Sequence, residues 1–253
     1  MVAFLAGAVN AVAGWGTFLA FPALTGIGQI SEKLANIACT IGLWPGAAAS
    51  VAAVRKELRR LPKSLVLAYV PVCLVGGAVG SLLLLHTRER TFHLAIPWLL
   101  LFATIVFAMG QRVARWAGRE PGHRPTLRWT LLVGSIQFFV AVYGGYFGAG
   151  IGVLTLAGLS LVGLESLHQT NVLKVVLSTS MNLTAAIVFL FGDVPWRFAG
   201  PMAGASIVGG FVGMHAAQKL PPKVLRAVIL AIAILLPAAY FWKVYAPVLA
   251  GHL

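Results

Sequence analysis

The stretch YGGYFGAGIG occupies residues 143–152 and places five glycines in ten positions. Apolar sequence flanks it on both sides. Glycine at this density marks a loop or a close backbone approach. A loop inside a long hydrophobic block needs a physical reason, because unpaired backbone is costly in an apolar medium.

That medium is set by composition. Of 253 residues, 59% are hydrophobic and 10% are charged, with a mean hydropathy of +0.90. A soluble domain carries about 25% charged residues. The bilayer is therefore the expected solvent, and the expected fold is an all-α polytopic membrane protein.

The net charge of +13 does not point to nucleic acid, because the basic residues lie in blocks between apolar runs. Arg55, Lys56, Arg59, Arg60 and Lys63 form one block. Arg112, Arg115, Arg119, Arg124 and Arg128 form a second, and Lys219, Lys223 and Arg226 a third. Cytoplasmic loops look like this under the positive-inside rule, with membrane lipid headgroups as secondary partners. Cys39 and Cys73 lie inside apolar stretches and read as small buried hydrophobes. The first basic residue is Lys33, so no cleavable signal peptide is expected.

Charges and breakers divide the chain into about eight apolar segments: 2–28, 35–54, 64–85, 92–110, 129–163, 171–192, 198–215 and 224–249. Most suit one helical crossing of about 20 residues. The first and fifth are too long and are broken by glycine. The linker 111–128 is the longest polar segment; it divides the chain into repeats over 1–110 and 129–253.

The two halves resemble each other. AGWGT (13–17) precedes NIACT (36–40), and AGIGV (149–153) precedes NVLKV (171–175), at spacings that differ by one residue. Such internal repeats are expected in secondary transporters. If each long block crosses once, the repeats are parallel, with twelve basic residues inside and six outside. If each block is a hairpin that returns to its starting side, the repeats are inverted, with thirteen inside and five outside. Charge alone barely separates these. Length favours the hairpin: the 36 uncharged residues from Trp129 to Leu164 would span about 54 Å as one helix, against a hydrocarbon core of about 30 Å.

A broken helix in a membrane exposes backbone N–H groups at the start of the second half-helix. Those groups favour an anion. Tight packing through small residues is the competing explanation for one glycine cluster; two clusters at matching places favour a site. Polar residues follow each break. Asn10, Asn36 and Thr40 accompany the first, and Asn171, Ser178, Thr179, Ser180 and Asn182 the second. Asn171, Lys174 and Ser178 fall on one helix face. Lys174 is the sharpest single residue, an ionisable group inside an apolar span, where such groups face a cavity unless they snorkel to the interface. Its mate in the first half is Cys39. The run LWPG (43–46) puts Pro45 in a span, where it kinks a helix, and makes Trp44 a candidate cavity residue. Glu165 and His168 stand as a pair at the expected cavity mouth.

None of the six acidic residues lies mid-span, which argues for an anionic substrate. There is no HExxH, GxSxG or P-loop motif and no ligand spacing among the six histidines. No enzyme and no cofactor are expected.

The segments GAVNAVAGWGTFLAFPALTGIG, LANIACTIGLWPGAAAS and GGYFGAGIGVLTLAGLSLVG with HQTNVLKVVLSTSMNLTAAIVF resemble the TauE/SafE family of sulfite-exporter-like permeases over most of the chain. The resemblance implies transport of a small sulfur-containing anion, such as sulfite or an organosulfonate, across the bacterial inner membrane. By position it carries Asn10, Gly14, Gly16, Asn36, Thr40, Trp44 and Pro45 in the first motif. In the second it carries Gly144, Gly145, Gly148, Gly150, Asn171, Lys174 and Asn182. Trp15 and Thr17 interrupt the first glycine run, which is richer in the family, and Trp15 is taken as a candidate contact to substrate. The expected mechanism is alternating access, with an anion channel or a permease for another small organic anion as alternatives. A coupling proton or ion and a second copy of the chain are further candidate partners.

Overall fold

The computed structural model describes residues 2–14, 16–116, 126–162, 164, 166–217, 231, 234–235 and 237–245. Among the described residues every regular element is helical. A short pair, α1 (Val2–Ala13) and α2 (Gly16–Gly26), opens the chain. Next come α3 (Glu32–Ala53), the single turn α4 (Arg55–Leu58), α5 (Lys63–His86) and α6 (Glu89–Trp116). After the linker come α7 (Leu127–Tyr146), α8 (Ile151–Leu159) with a 3₁₀ turn at Ser160–Val162, α9 (Leu167–Phe189) and α10 (Trp196–Ala217). Residues 237–245 are again helical. Five of the described helices are long and apolar enough to cross a membrane: α3, α5, α7, the first 18 residues of α6, and α9 from His168.

Both glycine breaks reverse the chain. A Cβ on Gly16 would meet Asn10 Cβ at 2.6 Å, so α2 folds back onto α1. In the second break, Gln137 Nε2 of α7 donates to Thr155 O of α8 at 3.0 Å. Two helical hairpins result, as the block lengths imply.

The hairpins lie in opposite senses. The start of α3 stands at the α5–α6 turn: Ser31 Oγ donates to Glu89 Oε1 at 2.6 Å, and Lys33 Nζ donates to the carbonyls of Leu85 and Thr87 at 2.8 and 2.9 Å. Glu32 there accepts from His93 Nδ1 and Lys243 Nζ at 3.2 and 3.3 Å. The start of α9 stands at the other end, where Leu61, just before α5, and Leu65, within it, share an apolar cluster with Val162 and Val172. Thus α3 and α9 run in opposite directions. Each opens on a serine cap: Ser31 Oγ accepts from Leu34 N, and Ser166 Oγ from Gln169 N.

Packing repeats the same relation. α1 lies on α10 as α7 lies on α5, α3 packs on α10 as α9 on α5, and α3 crosses α9 near the centre. Small residues allow these close approaches. Gly7 and Gly46 face Ser206 of α10, while Gly77 faces Met181 of α9 and Gly145 of α7. Pro45 lies inside α3 without ending it.

Candidate functional site

The tips of the two hairpins meet. Gly14 has φ +71° and Gly150 has φ +75°, left-handed conformations that favour glycine. They end one half-helix and let the next begin. A Cβ on Gly14 would stand 2.7 Å from Gly152 Cα.

Beside this contact lies a cavity of about 30 Å³. The first break contributes Asn10 and Gly14, and α3 contributes Ala47 and Ser50. Ile151 and Gly152 of α8 form another wall. The remaining wall is one stripe of α9: Lys174, Val175, Ser178, Thr179 and Asn182. Lys174, Ser178 and Asn182 recur at i, i+4 and i+8, which puts them on one face.

Lys174 is only 5% exposed. No carboxylate lines the cavity, and the ammonium has no hydrogen bond or ion pair among the described residues. Opposite it, α8 begins without a side-chain cap on Gly150. Val153 and Leu154 N–H return to Gly150 O, whereas Ile151 and Gly152 N–H have no backbone acceptor among the described residues. α2 differs, because Asn10 Oδ1 accepts from Gly16 N at 3.3 Å and caps it. The hydroxyls are partly committed: Ser178 Oγ donates to Thr155 Oγ1 and Thr179 Oγ1 to Ala47 O, both at 3.4 Å, and Ser50 Oγ to Gly46 O at 3.0 Å. An uncapped helix N-terminus facing an unpaired ammonium, with hydroxyls around it, is chemistry for an anion.

Of the residues singled out in the sequence, Asn10, Gly14, Lys174, Ser178 and Asn182 line this cavity. Gly16 bonds the cavity residue Asn10, and Gly150 precedes the two free amides. Asn171 shares the face of Lys174 but is exposed, because it lies only about one turn from the start of α9. Asn36, Thr40 and Gly148 gather instead at the end of α7, away from the cavity lining: Asn36 Nδ2 donates to Tyr146 O at 3.0 Å. Trp44 is half-buried and is not part of the lining either. Trp15 and Glu165 lie outside the described residues, as does 117–125 of the linker. Sequence reasoning missed Ile151, Gly152, Ala47, Ser50 and Val175. Gly152 was legible as the last glycine of the opening stretch; Ser50 carried no signal.

Among the described residues no group of three or more His, Cys, Asp or Glu could hold a metal ion.

Comparison with known proteins agrees with this architecture. The family model described as sulfite exporter TauE/SafE matches residues 1–240. A "Probable membrane transporter protein" of Haemophilus influenzae is 23% identical over 239 residues, covering 94% of this chain and 91% of that protein. The "Probable membrane transporter protein ORF9" of a Sinorhizobium species is 25% identical, covering 93% and 88%. The "Probable membrane transporter protein YfcA" of Escherichia coli is 26% identical, covering 94% and 86%. The chain is a multi-pass membrane protein, and it belongs to the sulfite exporter TauE/SafE family.

Proposed function

We propose that the protein is a secondary transporter of a small sulfur-containing oxyanion, sulfite or an organosulfonate, working by alternating access in the bacterial inner membrane. The observation that carries this reading is the buried Lys174, without a counter-ion among the described residues, facing the free amides of Ile151 and Gly152. The anion supplies the missing charge, and its oxygens accept from the two amides and from Asn182 Nδ2, while Ser178 and Thr179 donate to it only by turning away from Thr155 and Ala47.

The repeats are 1–110 and 129–253, each a hairpin followed by crossing helices. The first basic block, Arg55 to Lys63, lies beside the start of α9, and the positive-inside rule then assigns that end, with the 111–128 linker, to the cytoplasm. Movement of one hairpin past the other at the Gly14–Gly152 contact would open the cavity to either side. A cavity of about 30 Å³ has room for only one or two waters, which is small for a continuously open channel and supports alternating access.

A thermal-shift screen of the purified protein against sulfite, sulfate, thiosulfate and small sulfonates tests the reading, because a ligand of the native state raises its stability. At least one sulfur oxyanion should raise Tm with chloride held constant. A flat response to all of them sinks it.

A further inference from the structure

Asn36 sits on α3 with none of its surface exposed. Its Nδ2 donates to Tyr146 O, which orients the amide and leaves Oδ1 buried with no hydrogen-bond partner among the described residues. A buried acceptor without a partner calls for a ligand or a water.

The place it occupies is the C-terminus of α7. Tyr143 O accepts from Phe147 and Gly148 N–H, but Gly144 O and Gly145 O receive no backbone donor among the described residues. These carbonyls form the negative end of the helix dipole. Thr40, one turn along α3, donates its hydroxyl to Asn36 O at 3.1 Å, and its oxygen lies 4.0 Å from the position of a Cβ on Gly148. The uncommitted groups that Asn36, Gly144 and Gly145 bring here are oxygen acceptors.

The other repeat shows what such a position holds. Ser166 follows the equivalent cap Ser31 by 135 residues, and the same step takes Cys39 to Lys174. Lys174 lies beside Asn10 and Gly14, at the C-terminus of α1. There the positive charge belongs to the chain. At the C-terminus of α7 the equivalent residue is the apolar Cys39, and Asn36 offers an oxygen instead.

We propose that Asn36 Oδ1, Thr40 Oγ1 and the carbonyls ending α7 bind a small hard monovalent cation, with Na⁺ as the type, and that this cation couples to anion transport. Oxygen donors suit hard cations, and half-helix C-termini in broken transporter helices hold coupling ions in this way. The coupling rests on the transport reading above; the binding does not.

The test is the Tm of the purified protein in NaCl, LiCl, KCl and choline chloride at equal ionic strength, with and without sulfite, followed by sulfite uptake into proteoliposomes under a Na⁺ gradient. Na⁺ should raise Tm alone and should tighten sulfite binding by about tenfold, within the usual range of linkage. Asn36→Leu should abolish the Na⁺ response and keep the sulfite response. Asn36→Asp, which offers a carboxylate oxygen, should strengthen the Na⁺ response and guards against a misfolded leucine variant. Lys174→Gln should lose the sulfite response and keep the Na⁺ response, which separates failure of the anion reading from failure of this one. Equal Tm in all four salts, or a Na⁺ response that survives Asn36→Leu, overturns cation binding. Uptake indifferent to the Na⁺ gradient overturns the coupling.

Discussion

Gly14 and Gly152 touch backbone to backbone: a methyl group on Gly14 would stand 2.7 Å from Gly152 Cα. Through this contact the two hairpin tips form one structure at the centre of the bundle. Three helix ends converge on it, the C-terminus of α1 and the N-termini of α2 and α8. The site is therefore built from partial charges of both signs, and side chains choose between them. Asn10 caps the α2 end, while Lys174 faces the open α8 end.

Gly14→Ala meets two penalties. The left-handed conformation costs a non-glycine residue roughly 1–2 kcal/mol, and the methyl group must also part the tips. We expect a fall in Tm and loss of sulfite counterflow together. Gly204→Ala is the control, since a Cβ there meets nothing within 4 Å. It should be neutral or gain up to about 1 kcal/mol from helix propensity. Equal behaviour of the two variants in Tm and counterflow would refute the tip contact.

Lys174→Ala removes a charge that has no partner among the described residues, so the empty protein should keep its fold. The anion loses a charge-assisted contact worth about 1.5–3 kcal/mol, a fall in affinity of about tenfold or more. The measurement is the anion-induced Tm shift, titrated in both proteins. Unchanged affinity refutes a role for Lys174 in binding.

The hairpins were legible because a charge-free run of 36 residues is too long for one crossing. The two glycine clusters were legible because left-handed breaks of this kind favour glycine. Lys174 stood out as an ionisable group inside the otherwise uncharged segment 171–192. What the sequence could not show was depth. Asn171 and Lys174 share a helix face, yet one is exposed and the other buried, because about one turn separates the rim from the cavity. Asn10 and Asn36 belong to the same repeat but lie against different helix ends, one against α2 and one against α7. That assignment depends on tertiary crossing, which periodicity does not encode. Ser50 and Ala47 enter the cavity only because α3 crosses α9 at that level.

Asn10 does two jobs that substitutions can separate. Asn10→Ala removes the acceptor for Gly16 N–H and should cost about 1 kcal/mol, the usual value of a cap. Asn10→Asp keeps the cap but places a carboxylate in the cavity. It should retain near-normal Tm while weakening anion binding by about tenfold, the scale of a like charge brought close. Paired Tm and anion titrations of both variants check this. Wild-type affinity in Asn10→Asp would remove Asn10 from the site.

The inverted arrangement makes a prediction about sides. Cys39 and Cys73 are fully buried and should be silent to a membrane-impermeant maleimide. Arg60, Arg88, His168 and Asp193 are exposed and can be replaced singly by cysteine. Hairpins that return to their starting side put positions 60 and 168 at the basic end and 88 and 193 at the other. The positive-inside rule makes the basic end cytoplasmic. Intact cells should therefore label Arg88→Cys and Asp193→Cys, and only permeabilised cells Arg60→Cys and His168→Cys. Parallel repeats would exchange positions 168 and 193 while leaving 60 and 88 in place. Labelling of His168→Cys in intact cells together with protection of Asp193→Cys would overturn the inverted topology, and with it the meeting of opposed hairpins on which the anion site depends.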